Sequence, residues 1–233
     1  MFLPLRDDNP LKVIPFQIVT AGLIAACIGV FVWQFSLGQG AANRAVLAFG
    51  AIPSVIFGLR DLHPDVALVP PALTVLTSLF LHGDILHLGG NMLYLWVFGD
   101  NIEDAMGHLR FIAFYLLCGV AATLAHVLSD PASSAPLIGA SGAISGVLAA
   151  YLVLHPRVKV LVLAFYRIPI RLPAYIVLGG WIVLQGVSVW FDGAVPGEGG
   201  TAWWAHIGGF AAGLLLIVPM RRRGVPLFDR GRY

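Results

Sequence analysis

The chain alternates long apolar runs with short polar breaks, and the runs have membrane length. A helix needs about 20 residues to cross about 30 Å of hydrocarbon. Apolar segments over roughly 16–35, 85–101, 109–128, 138–154, 173–191 and 201–220 predict six spanning helices. Between the first two lies a long connection, from Ser36 to about Leu81, with four prolines after Ile52 and charges at Arg44, Arg60, Asp61 and Asp65. Its apolar pieces, such as Ala45 to Phe57, are too short to span and read as interfacial or partly embedded. The segment from Arg157 to Leu172 alternates apolar residues with Arg157, Lys159, Arg167 and Arg171, a basic amphipathic pattern suited to an anionic membrane face. The loop from Asp192 to Gly200 is Gly-rich and carries Pro196 and Glu198.

Composition agrees. Of 233 residues, 58% are hydrophobic and 11% charged, where a soluble domain has about a quarter charged. Mean hydropathy is +0.86. The expectation is an all-α, polytopic membrane protein: a polar N-terminal segment over 1–15, a six-span domain over 16–220 and a basic tail over 221–233. The long first apolar run fits a membrane span better than a cleaved signal peptide. Cys27 and Cys118 fall inside apolar runs and read as small core residues rather than a disulfide.

Charge orients the chain. Threading six spans gathers Arg6, Lys12, Arg110, Arg157, Lys159, Arg167, Arg171, Arg221, Arg222, Arg223, Arg230 and Arg232 on one side. Arg44 and Arg60 alone fall on the other. Positive residues concentrate on the cytoplasmic side, so both termini are expected there.

Against this background the intramembrane polar groups stand out, because such groups are costly in lipid. His87 and Asn91 are four apart on the second span, and His82 lies just before it. Ser141 and Ser145 sit among the glycines of the fourth, in Ile138-Gly139-Ala140-Ser141-Gly142-Ala143-Ile144-Ser145-Gly146. The sixth carries His206 in Trp203-Trp204-Ala205-His206-Ile207-Gly208-Gly209. All three spans run inward from the outer face, which puts Ser141 and His206 roughly 5–10 Å below it at about 1.5 Å per residue. A Ser between glycines suits close helix packing as well as nucleophilic chemistry. The convergence of a hydroxyl, imidazoles and an amide in one layer favours the chemistry. Small-residue stripes at Gly142 and Gly146, and at Ala205, Gly209 and Gly213, permit the approach that a Ser141–His206 hydrogen bond requires. Ser141 would attack a carbonyl, with His206 taking and returning the proton. His87, Asn91 and the Ser141 backbone N–H are candidate oxyanion donors. Asp100, Glu103 and Asp104 lie at the wrong end of the second span, so a Ser–His dyad rather than a triad is expected.

These motifs resemble the rhomboid intramembrane serine proteases. Gly139-Ala140-Ser141-Gly142 is similar to their G-x-S-G motif, His87 to Asn91 to H-x-x-x-N, and Ala205 to Gly209 to A-H-x-x-G. The resemblance runs from about Leu73 to Met220. It implies a six-helix core, Ser141 as nucleophile, His206 as base, and His87 and Asn91 at the oxyanion. It also implies a supporting polar His82, lateral substrate access between spans two and five, and transmembrane proteins as substrates cut near the outer face. Two departures are Ser145, where some members stack an aromatic ring on the base, and a first loop without the Trp-Arg pair of some members. Trp203 is a candidate for holding the imidazole. No metal, cofactor or nucleic acid is expected, and the bilayer is the expected setting, as a bacterial inner-membrane protein. The alternatives are a catalytically inactive rhomboid-like client binder, a haem site on His82, His87, His126 and His206, and a transporter with broken helices.

Overall fold

Lipid and interior are both apolar, so the apolar runs fold as helices whose backbone groups are satisfied internally. The computed structural model describes residues 2–165, 167–192 and 202–229. Its helices are α1 (Ile18–Ser36), α2 (Gln39–Phe49), α3 (Pro53–Ile56), α4 (Pro71–Thr77), α5 (Ile85–Met106), α6 (His108–Ser129), α7 (Ser141–Leu154), α8 (Ala174–Asp192) and α9 (Trp203–Met220). The predominantly helical membrane bundle is as expected. Four helices, α1, α6, α8 and α9, are long and apolar enough to cross a membrane. Pro71–Phe80 and α5 form a pair bent by 80° that makes a fifth if counted as one span. The expected fourth span, α7, has 14 residues, about 21 Å, and falls short of a bilayer. It is the inner helix of the bundle: Gly142 to Tyr151 and Leu154 are all buried. A helix screened by its neighbours need not match the lipid thickness.

α5 runs past the expected stop at Asn101 because its acidic residues face inward to partners. Glu103 accepts hydrogen bonds from the Val19 and Thr20 N–H groups, at 2.9 and 2.8 Å, and from the Thr20 hydroxyl at 2.7 Å. The first N–H groups of a helix have no partner within it, so this carboxylate caps α1 from another element. The next residue, Asp104, accepts from the N–H groups of Lys12, Val13 and Ile14.

The segment around Arg157–Leu172 is a β-hairpin rather than a surface-lying amphipathic stretch. Strands β1 (Phe2–Asp7), β2 (Lys159–Ala164) and β3 (Ile168–Pro173) form an antiparallel sheet in the order β1-β2-β3. Val160, Val162 and Ala164 face the core, and Lys159 faces solvent. Period-two alternation is the strand pattern. Tyr151 of α7 donates its hydroxyl proton to Asp7, tying the sheet to the inner helix. At the same end, Arg222 N–H bonds the Ala105 carbonyl, and the Phe228 and Asp229 N–H groups bond Val153 and Leu154. The N-terminal, α5–α6, α7–α8 and C-terminal segments therefore meet at one end, as the charge pattern requires. The first connection and the α6–α7 loop meet at the other, through an Ala51–Leu137 bridge and a Ser54 N–H to Ser133 carbonyl bond. Arg230, Arg232, Thr201, Pro196, Glu198 and the side chain of Asp192 lie outside the described residues.

Candidate active site

Helix α9 lies against α7 with almost no side chain between them. A Cβ built on Gly209 would meet the carbonyl of Gly142, and one on Gly213 the carbonyl and Cα of Gly146. α6 fills the remaining side: Ala122 opposes Gly142, Cys118 opposes Gly146, and Ala125 opposes Gly208. Cys118 and Cys27 are buried and free. This backbone contact brings the start of α7 beside the first turn of α9. His206 Nε2 lies 2.9 Å from Ser141 Oγ.

Ser141 occupies the first position of α7, not a position inside it. The residues expected to begin the span, from Ile138, instead arrive as a loop that turns at Gly139, whose φ is +118°. That conformation, and the ring beyond it, exclude a side chain: a Cβ on Gly139 would sit 2.7 Å from His87 Nε2. The loop is held by the Gly139 N–H donating to the Ser78 carbonyl at 2.9 Å. Ser141 thus stands at a helix N-terminus, where unpaired N–H groups and the helix dipole favour negative charge.

His87 and Asn91 come from the first two turns of α5, which Asp84 caps by accepting from the Leu86 and His87 N–H groups at 2.8 Å. His87 Nδ1 receives a long bond from Gly83 N–H at 3.4 Å, which leaves Nε2 as its N–H toward Gly139. The buried Asn91 amide nitrogen has no hydrogen-bond partner among the described residues. His82 is buried, its Nδ1 is 3.3 Å from the Phe80 carbonyl, and its ring meets His87 edge-on at 5.2 Å. Ser141, His206, His87, Asn91, His82, Gly139 and Gly142 are therefore gathered around one end of α7. Among the described residues no three His, Cys, Asp or Glu side chains are grouped to hold a metal ion.

The residue that sequence reasoning missed is Gln185. Its side-chain oxygen lies 2.7 Å from His206 Nδ1. The signal was there, a lone amide within the apolar run of the fifth span, but its partner is visible only once α8 packs on α9. The indole of Trp181, one turn earlier, lies 5.5 Å from the imidazole, and Trp203 meets it edge-on at 6.1 Å. Ser145 turns away and donates to the Ser141 carbonyl at 2.7 Å.

A family model described as Rhomboid domain matches residues 71–223. The chain belongs to the rhomboid family. It is 32% identical over 152 residues to Rhomboid protein 1, mitochondrial, of Saccharomyces cerevisiae, an alignment covering 63% of this chain and 41% of that protein. It is 32% identical over 142 residues to RHOMBOID-like protein 5 of Arabidopsis thaliana, covering 61% and 42%. It is 28% identical over 196 residues to the mouse Presenilin-associated rhomboid-like protein, mitochondrial, covering 79% and 50%. The alignments span about two fifths to half of these relatives. Rhomboid family membership and the membrane-length apolar helices make the chain an integral membrane protein. Two of the three relatives are named as mitochondrial, so the similarity lends no support to the bacterial inner membrane expected from the sequence.

Proposed function

We propose that the chain is a serine-type endopeptidase that hydrolyses peptide bonds in or near the transmembrane segments of membrane-protein substrates. The observation that carries this reading is the 2.9 Å approach of His206 Nε2 to Ser141 Oγ at the N-terminus of a buried helix. Ser141 Oγ attacks the scissile carbonyl carbon as its proton passes to His206 Nε2. The carbonyl oxygen becomes an oxyanion, and the donors suited to it are the Ser141 N–H, the Asn91 amide and His87 Nε2–H. Collapse breaks the C–N bond, and the imidazolium returns the proton to the leaving amine. Water, deprotonated by the same imidazole, then hydrolyses the acyl-enzyme. His82 supports His87, while Gly139 and Gly142 keep the approach open. No metal or cofactor enters this chemistry.

In this reading residues 16–220 are the membrane domain, with 1–15 and the basic tail 221–233 on the cytoplasmic side and the site toward the outer face. A bacterial inner membrane remains the proposed setting, to be checked by fractionation against organelle membranes. The test of function is cleavage, in proteoliposomes, of a single-span substrate with a small residue near the outer end of its span. Wild type should cut it and Ser141→Ala should not. No cleavage by either would favour the inactive client binder.

A further inference from the structure

The buried amide of Gln185 has a determinable orientation, and that orientation fixes the protonation of His206. One end of the amide lies 3.2 Å from the Trp181 carbonyl, one turn back along α8, and must be the NH2 group, since a carbonyl only accepts. The other end is then oxygen, and it is this atom that lies 2.7 Å from His206 Nδ1. An oxygen facing Nδ1 requires Nδ1 to carry a proton. A neutral imidazole carries one N–H, so Nε2 is bare, and Nε2 is the atom 2.9 Å from the Ser141 hydroxyl. Gln185 and His206 are both buried, so bulk solvent does not compete for the bond between them.

We infer that Gln185 is a positioning residue: it holds His206 in the tautomer whose Nε2 can accept the Ser141 proton. The inference rests on the Ser141–His206 reading and adds a neutral orienting group to the expected dyad. Orientation of a base through its second nitrogen is a general device. Here the orienting group is neutral, so it selects the tautomer without a carboxylate's charge on the imidazolium. As Ser141 gives its proton to Nε2, the Nδ1–H···O bond persists and becomes charge-assisted. Gln185 gains and loses no proton. Because it stands on α8 with Trp181, one turn of that helix governs both the tautomer and a ring contact of the base.

The test has two readouts on wild type, Gln185→Leu and Gln185→Glu. The first needs no activity: nitrogen NMR of the 15N-imidazole-labelled protein in bilayers, with the His206 signals assigned by their loss in His206→Ala. Wild type should show Nδ1 protonated and Nε2 bare, and Gln185→Leu a mixture or the reverse. The second is kinetics. Gln185→Leu leaves a buried N–H unpaired, and kcat should fall about 10- to 100-fold with KM within about twofold. Gln185→Glu keeps the acceptor and should recover most of the rate. Its charge should move the acid limb of the profile up by about one pH unit or more. If Gln185→Leu does not fold, the limb shift in Gln185→Glu carries the test. A wild-type His206 protonated at Nε2, a Gln185→Leu enzyme with unchanged kcat and pH profile, or a Gln185→Glu enzyme with an unmoved limb would overturn the inference. Wild-type cleavage persisting in Ser141→Ala, with the tautomer still set by Gln185, would instead overturn the dyad alone.

Discussion

Asn91 is a single donor on which the proposed site would depend. Its amide nitrogen is buried without a partner among the described residues and sits 3.9 Å from the position a Cβ on Gly139 would take. A buried polar group left unpaired costs stability, and it persists most easily where a reaction supplies the missing partner. In the proposed mechanism, the oxyanion formed at Ser141 is such a partner. Asn91→Ala should therefore leave folding intact and lower the cleavage rate by up to about 10²–10³-fold. Rates compared at saturating substrate, beside thermal melting, check this, and an unchanged rate would remove Asn91 from the oxyanion role. At the same scale, Ser145 shows that the imidazole is not held by a ring one turn after Ser141. Gln185, Trp181 and Trp203 surround it instead.

Between elements, the contact of β1 with α7 carries a pH signature of its own. Burial pushes the Asp7 carboxyl up to about 6, against the lowering effect of the Tyr151 hydroxyl bond. Burial pushes His155, which caps the C-terminus of α7, down to about 4. Between about pH 4 and 6 the folded state holds more protons than the unfolded at Asp7, so its contribution to stability declines as pH rises. Over about pH 4 to 6.5 the folded state holds fewer at His155, so that contribution grows as pH rises. The two oppose each other in wild type. Asp7→Asn keeps an acceptor for Tyr151 and removes the first, so the variant should lose more thermal stability than wild type on acidification from pH 6.5 to 4. Tryptophan-fluorescence melting in detergent reads the difference. Equal acid sensitivity of the two proteins would contradict this account of the β1–α7 contact.

For the whole molecule, the architecture was readable wherever lipid imposes a long apolar run, as in α1, α6, α8 and α9. It was less readable where protein rather than lipid surrounds the helix. α7 is apolar enough to pass for a span, yet Gly139, Ala140 and Ser141 carry no local signal for where it begins. The sheet was hidden for another reason. β1 pairs with a strand more than 150 positions later, and the alternation in β2 also fits a basic segment on a membrane surface. The approach of Ser141 to His206 was recognisable because three short motifs fell on helices that glycine stripes could bring together. Gln185 was not, since one amide in an apolar run acquires meaning only from the helix it meets.

The central claim is that His206 activates Ser141. It is tested most directly by labelling purified, folded protein in detergent with a fluorophosphonate, which phosphonylates an activated serine and largely ignores ordinary ones. The account predicts labelling of wild type and none of Ser141→Ala or His206→Ala. Labelling that survives either substitution, or an unlabelled wild type into which the probe can enter, would contradict it.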